Sequence, residues 1–526
     1  MASHLFARKT LAMLHEEMRG ENRLRRVLGP KSLTALGIGC IIGAGIFVLT
    51  GVVAHDKTGP ALILSFVVAG LACIFAALCY AEFAAMAPVA GSAYTYAYAT
   101  MGEMFAWIIG WDLVLEYTVA SASVASGWSS YFQSFLDSVN IHLPPALSSP
   151  PVDAHLQPTG SLLDLPALLI IAVLTIILVV GIRESARANA AMVVVKLLVV
   201  VMVIVIGAMH INPDNWQPFA PFGYTGIALF GKTLLGQSDA HGAPLGMLAG
   251  AAMMFFAYIG FDSVSTHAEE AKNPQRDVPI GIIVSLAICT VLYIAVSAVL
   301  TGMVPYNQIN VHAPIAAAFK TLGLTWAQFI ISIGAIAGLT SVLMVLMLSQ
   351  PRVLLAMARD GLLPRSFFGA VHPRFHTPWR STILTGIVVA TLAAIIPLQI
   401  LAELVNIGTL LAFVMVCTAV LIMRKTNPDA HRPFRTPLVP LVPILGIVFC
   451  LGLMISLPSV NWVRLFIWLG AGMIIYLVYG YRHSRLGRKL AGLPVDDPTE
   501  LVGGDSVPCK PFLPPADVPK SNMPPE

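Results

Sequence analysis

A few ionisable residues lie where their surroundings make them costly. Lys196 follows A-N-A-A-M-V-V-V and precedes a further apolar run, so its side chain is too deep to snorkel easily to a membrane surface. A lysine at the centre of a spanning helix costs about 2.5–3.5 kcal/mol on insertion scales and is a functional candidate by default. The chemistry open to it is proton coupling, or a fixed positive charge standing where a sodium ion would sit. The plainer role is a tether to freed backbone carbonyls, and the position suits both together. Glu116, in G-W-D-L-V-L-E-Y, is the obvious buried counter-charge, with Asp112 one turn earlier on the same helix. Glu82 reads more simply as a satisfied packing carboxylate. Asp262, in A-Y-I-G-F-D-S-V-S, is balanced between a helix N-cap and a site residue. His267 and Glu270 have an i, i+3 spacing that can build helical metal sites. No second such pair occurs, and the following E-A-K-N-P-Q-R-D-V-P reads as loop, so neither metal nor cofactor is expected. H-E-x-x-H, G-x-S-x-G and Walker sequences are absent, which argues against a membrane protease and an ATP-driven pump.

The elements that must hold these residues are membrane spans. Of 526 residues 57% are hydrophobic and only 11% charged, against about 25% charged in soluble domains. The alternation of a transmembrane barrel is missing, which leaves an all-α integral membrane protein. Apolar runs of spanning length fall at about 33–54, 60–87, 102–130, 163–182, 188–210, 246–266, 279–303, 326–349, 380–397, 401–422, 438–457 and 462–480. Twelve spans put both termini on one side. Loops carrying Arg183 and Arg187, Lys272 and Arg276, Arg352 to Arg380, and Arg424 to Arg435 share a side with the basic N-terminal arm. That bias predicts cytoplasmic termini. Nothing before the first span has the apolar core of a signal peptide, and the arm (1–32) suits a cytoplasmic surface helix. Segment 88–101 carries no Lys or Arg and suggests a packed or re-entrant connection, while 351–379 suggests a short interfacial helix. The tail (486–526) is proline-rich and reads as disordered. Cysteine spacing indicates neither disulfides nor zinc.

Two spans are unlike the rest. The first contains G-I-G-C-I-I-G-A-G-I-F-V-L-T-G from Gly37 to Gly51, with Gly43-Ala44-Gly45 at mid-depth. Glycine lets the backbone leave helical geometry cheaply, and in hydrocarbon the freed groups must meet protein or a polar cavity. Close helix packing is the alternative. The sixth span has Gly260 and Asp262 well inside its apolar run. Two interrupted spans, five apart, point to an inverted-repeat secondary transporter. A half-helix N-terminus suits a carboxylate; a half-helix C-terminus and freed carbonyls suit an ammonium group. A free amino acid therefore fits better than a sugar.

The glycine-rich stretch, Y-A-E-F at 80–83, F-F-A-Y-I-G-F-D-S-V-S-T-H-A-E-E-A-K-N-P-Q-R-D-V-P-I-G-I and L-S-Q-P-R-V-L-L-A-M-A-R-D-G-L-L-P together resemble the amino acid–polyamine–organocation superfamily. The resemblance covers about residues 30–485 and is to the cationic amino acid transporter branch and its bacterial relatives. It implies a five-plus-five inverted repeat of the leucine-transporter type, about 33–210 and 246–422, with two extra helices at 438–480 inside a transporter domain of 33–485. It also implies that Ile41, Gly43, Ala44 and Gly45 meet the substrate carboxylate, and that Phe256, Ala257 and Ile259, with Asp262 nearby, meet the amino group. Lys196 maps onto a lysine thought to replace the sodium site. Many relatives carry Thr or Ser where this chain has Ala44, so a hydroxyl contact is lost here.

The expected activity is proton-coupled import of neutral or varied amino acids by alternating access, in a bacterial inner membrane, with Lys196 and Glu116 coupling the proton. A cationic amino acid uniporter or exchanger is the alternative, and a nutrient sensor on a transporter fold is a reading from another class. No enzymatic chemistry and no nucleic acid is expected; amino acid, protons, lipid and an unknown small membrane partner are the partners considered.

Overall fold

The structure is a computed structural model that describes residues 6–9, 28–87, 92–153, 156–180, 185–230, 232–240, 242–375 and 377–493. Most of the basic arm, residues 88–91, Arg183 and the tail from 494 onward lie outside the described residues.

Every one of the twelve apolar runs is helical. The first is α1 (Pro30–Ile41), a break, then a wide helical turn Gly45–Leu49, α2 (Thr50–Val53) and a second wide turn Ala54–Thr58. Next come α3 (Leu62–Met86), the connecting helix α4 (Ser92–Thr100), α5 (Glu103–Ser138), α6 (Leu165–Val180) and α7 (Ser185–Ala208). The sixth run is α8 (Met247–Met254), a tight turn Phe255–Tyr258, a break, and α9 (Ser263–Thr266). The remainder is α10 (Pro274–Met303), α11 (Pro314–Thr321), α12 (Thr325–Arg359), α13 (Arg365–Phe368), α14 (Trp379–Ile395), α15 (Leu398–Thr426), α16 (Leu441–Ser456), α17 (Ser459–Ile475), α18 (Tyr481–His483) and α19 (Arg485–Leu490). Eight helical stretches among the described residues are long and apolar enough to cross a membrane, and α6, α14 and α16 are shorter apolar helices.

Packing follows a repeated scheme. α1 lies on α10 as α3 lies on α8; α5 lies on α15 as α12 lies on α7; α3 pairs with α10, α5 with α12 and α6 with α14. Ile176, Leu198, Val291 and Ile467 point outward, whereas Glu82, Asp112, Glu116, Lys196 and Asp262 are buried. Ionisable groups facing the bundle interior are what a hydrocarbon solvent demands.

The helix of the eighth run continues ten residues past the expected end at 349, through Pro351, so 350–359 is not a separate interfacial helix. The reason is periodic: Val353, Leu354, Met357 and Ala358 stay buried on one face. Only α13 forms a short helix of the expected kind. The connection at 92–100 is a buried helix. Segment 211–245, between the fifth and sixth apolar runs, carries two small antiparallel pairs: β1 (Ile227–Leu229) with β2 (Lys232–Leu235), and β3 (Gln237–Ser238) with β4 (Pro244–Leu245).

Candidate functional site

The two breaks meet. Helix α1 ends at Ile41, and Ile42 is extended (φ −73°, ψ 97°) before helical geometry resumes at Ala44. The opening turn of the resumed helix, Ala44 to Ile46, offers N–H groups that lack intrahelical acceptors. In the sixth run the chain leaves the helix at Ile259 (ψ 137°) and passes through Gly260 at φ +112°. A side chain at Gly260 would be strained in that left-handed region and would lie 3.0 Å from the Cys40 carbonyl oxygen. A methyl at Gly45 would crowd the Ala257 backbone, Cα included, far inside contact distance. At Gly43 it would only touch Val342 at 3.4 Å. Gly45 and Gly260 are therefore fixed by the approach of one break to the other, and Gly43 is not.

One side chain, Tyr293, bonds to both breaks, and Lys196, Asn406 and Tyr131 each hold one of them. The Lys196 ammonium, on α7 and fully buried, donates to the carbonyls of Gly39 at 2.5 Å and Ile42 at 3.2 Å. Gly39 lies in the last turn of α1 and Ile42 just past its end, where carbonyls have no intrahelical donors once the helix stops. A Cβ at Gly338 on α12 would lie 3.2 Å from the Lys196 Cβ, so that glycine leaves room for the lysine stem. The Tyr293 hydroxyl on α10 lies 2.7 Å from the Ile41 carbonyl and 2.9 Å from the Ala257 carbonyl, holding one acceptor from each break. Asn406 on α15 donates to the carbonyls of Ala252 and Met253 at the end of α8. Tyr131 on α5 donates to the Phe47 carbonyl at 2.7 Å. Ala44 packs toward Gly127 of α5, where an added methyl would sit 3.2 Å from the Ala44 Cβ.

Two expectations fail. Glu116 is not the counter-charge of Lys196: among the described residues no carboxylate forms an ion pair with that lysine, whose charge is met by backbone carbonyls. Glu116 feels Asp262 and Asp112 instead. Nor does Asp262 cap α9. Its backbone is already helical (φ −64°, ψ −29°), whereas a capping residue needs extended geometry to fold its side chain back on the helix end. Among the described residues both its carboxylate oxygens are buried without a hydrogen-bond partner, as are those of Asp112, Glu116 Oε1 and the hydroxyls of Tyr80, Tyr96 and Tyr117. Of the expected carbonyl set, Phe256 accepts from the Ile259 N–H at 3.2 Å and Ala257 from Tyr293. Each keeps a second lone pair.

Glu82 is the packing carboxylate expected. It takes a bidentate pair from Arg424 (2.9 and 2.8 Å), a contact with Arg432 at 3.3 Å and the Thr436 N–H. A second polar centre lies against residues 6–9. Asp360, past the end of α12, accepts from Lys9 at 2.8 Å and from the Tyr94 hydroxyl at 2.6 Å. Burial, then the adjacent Asp360 carboxylate, push the Tyr94 phenol well above its ordinary range, so it stays a donor. Glu103, at the start of α5, accepts from Tyr98, Tyr476 and Ser484.

Tyr293 and Asn406 escaped the sequence reading. The signal was weak but present: a tyrosine hydroxyl or an amide inside an apolar run must find a partner. Which partner is decided by three-dimensional neighbours alone.

The amino acid permease family model matches residues 28–480. The chain is 48% identical to the methylthioribose transporter of Bacillus subtilis (strain 168) over 486 residues, 92% of this chain and all of the relative. It is 47% identical to the branched-chain amino acid permease BcaP of the same organism over 489 residues, 93% of this chain and again all of the relative. With the vacuolar cationic amino acid transporter 4 of Arabidopsis thaliana it shares 41% over 411 residues, 78% of this chain and 65% of that one. A multi-pass helical bundle with two broken helices in contact, matched over nearly its whole length, belongs to the amino acid permease family of the amino acid–polyamine–organocation superfamily.

Proposed function

We propose that this permease imports amino acids by proton-coupled alternating access, with the substrate head group at the two helix breaks. The observation that carries this reading is the junction itself: Gly45 against Ala257, Tyr293 on a carbonyl of each break, and Lys196 on the end of α1. The N–H groups opening the second half of the first run would receive the carboxylate. The second lone pairs at Phe256 and Ala257, with the Ile259 carbonyl, would receive the ammonium group. Lys196 would hold α1 in one position, and a change in its proton or its pairing would release it. The helix pairings support a five-plus-five inverted repeat followed by two extra helices, because exchanging runs 1–5 with runs 6–10 in order turns the α1–α10 pairing into α3–α8 and the α5–α15 pairing into α7–α12, and returns the other three unchanged. The distribution of Lys and Arg supports cytoplasmic termini, and the bacterial relatives support a cell membrane.

For the side chain, a full-length relative named for branched-chain substrates supports neutral amino acids. The Asp262 carboxylate and Glu116 Oε1, which find no donor among the described residues, favour a second reading, cationic substrates. A proteoliposome screen settles both: all amino acids and methylthioribose compete against labelled leucine, with and without an imposed pH gradient. Competition by neutral amino acids and accumulation driven by the gradient are expected. Competition by arginine and lysine alone would establish the second reading, and uptake indifferent to the gradient would refute coupling.

A further inference from the structure

The external connection between α7 and α8 carries a feature that transport does not account for. In the β1–β2 hairpin Ala228 is buried, while Ile227, Leu229 and Phe230 are exposed, as are Leu234 (65%) and Leu235 (57%). So many large apolar side chains on a nine-residue hairpin would be costly in water, and such a patch marks an interaction surface.

Its place in the fold indicates what covers it. Phe230 donates its N–H to the Ile455 carbonyl at 3.1 Å and accepts from the Ser459 N–H at 3.1 Å. Those two residues flank the turn between α16 and α17. At 1.5 Å per residue the sixteen-residue α16 is about 24 Å long, short of the ~30 Å hydrocarbon layer. The turn, and the hairpin bound to it, therefore sit at the level of the acyl boundary and not above the head groups. The Phe230 ring meets Trp462 edge-on at 5.5 Å, and Trp462 continues into Phe466 at 6.0 Å. Aromatic side chains gather at membrane interfaces. The exposed hairpin side chains are thus continuous with the apolar exterior of α16 and α17, where Val448, Val463 and Phe466 face outward. Lys232, the exposed cation of the hairpin, suits lipid phosphate.

We propose that the β1–β2 hairpin is an interfacial anchor whose apolar side chains lie in the outer leaflet of the bilayer beside α16 and α17. It pins the middle of the α7–α8 connection to lipid, next to helices outside the two broken runs.

The test uses nitroxide labels on Leu234→Cys and, separately, Leu235→Cys. The background is the full chain with Cys509→Ser, since the other six cysteines are buried. Each protein is reconstituted into phosphatidylethanolamine–phosphatidylglycerol liposomes. Relaxation by oxygen, which partitions into lipid, is compared with relaxation by a water-soluble nickel chelate. A label on Leu156→Cys, exposed in the connection between α5 and α6, is the aqueous reference. An oxygen-to-nickel ratio severalfold higher at 234 and 235 than at 156 is expected. Equal ratios would overturn the proposal by placing the hairpin in water. Weak relaxation by both reagents at 234 and 235 would also overturn it, because a second copy or another protein would then cover the patch.

Discussion

Replacing Lys196 by methionine tests the proposed coupling most directly. The substitution keeps the apolar stem beside Gly338 and removes only the charged donor to Gly39 and Ile42. A hydrogen bond from a charged group contributes ~1.5–3 kcal/mol, and at 3.2 Å the Ile42 contact is at the outer edge of the useful range. The pair together thus holds the end of α1 by about 2–5 kcal/mol. At 1.4 kcal/mol per decade the position of α1 shifts by roughly thirtyfold to a few thousandfold. The assay is uptake of labelled amino acid into proteoliposomes with an acidic exterior, run beside exchange with no gradient. Wild-type protein is expected to concentrate substrate above equilibrium. Lys196→Met protein is expected to lose that accumulation, while a monodisperse elution profile shows that it still folds. If Lys196→Met protein concentrated amino acid down the pH gradient as wild type does, the lysine would be a structural tether and the coupling argument would fail.

Tyr293→Phe removes the hydroxyl shared by the two breaks but keeps ring contacts to Phe66 and Tyr258 at 5.3 and 5.4 Å. The loss of ~1–3 kcal/mol should lower initial uptake about fivefold or more, with little change in thermal melting. Gly45→Ala and Gly43→Ala make a matched pair: the first should abolish uptake, because its methyl crowds the Ala257 backbone, and the second should still yield folded protein with measurable uptake. The reasoning fails if the order is reversed. Glu82→Gln leaves Arg432, 3% exposed at its side chain, without its carboxylate. Breaking a buried pair from one side costs about 3–5 kcal/mol, so a clear fall in melting temperature in detergent is expected, and an unchanged one would refute it.

What could be read from the sequence was local. Apolar runs mark helices because a bilayer leaves the backbone no other choice, and glycines inside two of them mark the breaks. Contacts distant along the chain were out of reach: Tyr293 meets Ile41 across 252 positions. Of the two readings of Asp262, the N-cap fails for a physical reason. An Asp before two serines has the composition of a cap, yet its backbone torsions had already turned helical and aimed the carboxylate elsewhere. Glu116 was misassigned because a list of charges carries no distances. Lys196 found its partners in carbonyls that exist only because α1 stops.

The two flanks of the junction differ in what they leave unmet, and the difference bears on the ligand. On the Lys196 side the charge is met by carbonyls from one helix end. On the Asp262 side, Asp112, Glu116 and Asp262 are buried with oxygens that find no donor among the described residues. Removing an ionised carboxylate from water costs several kcal/mol unless a cation or a proton arrives. An arriving ammonium group or proton thus gains more on that flank than on the other. A zwitterion laid across the junction would place its carboxylate at the opening turn of the second half-helix, where N–H groups are free. Its ammonium group would lie toward Asp262. A neutral sugar derivative would satisfy neither demand, and so the polarity of the junction favours an amino acid even though a relative of equal similarity is named for methylthioribose.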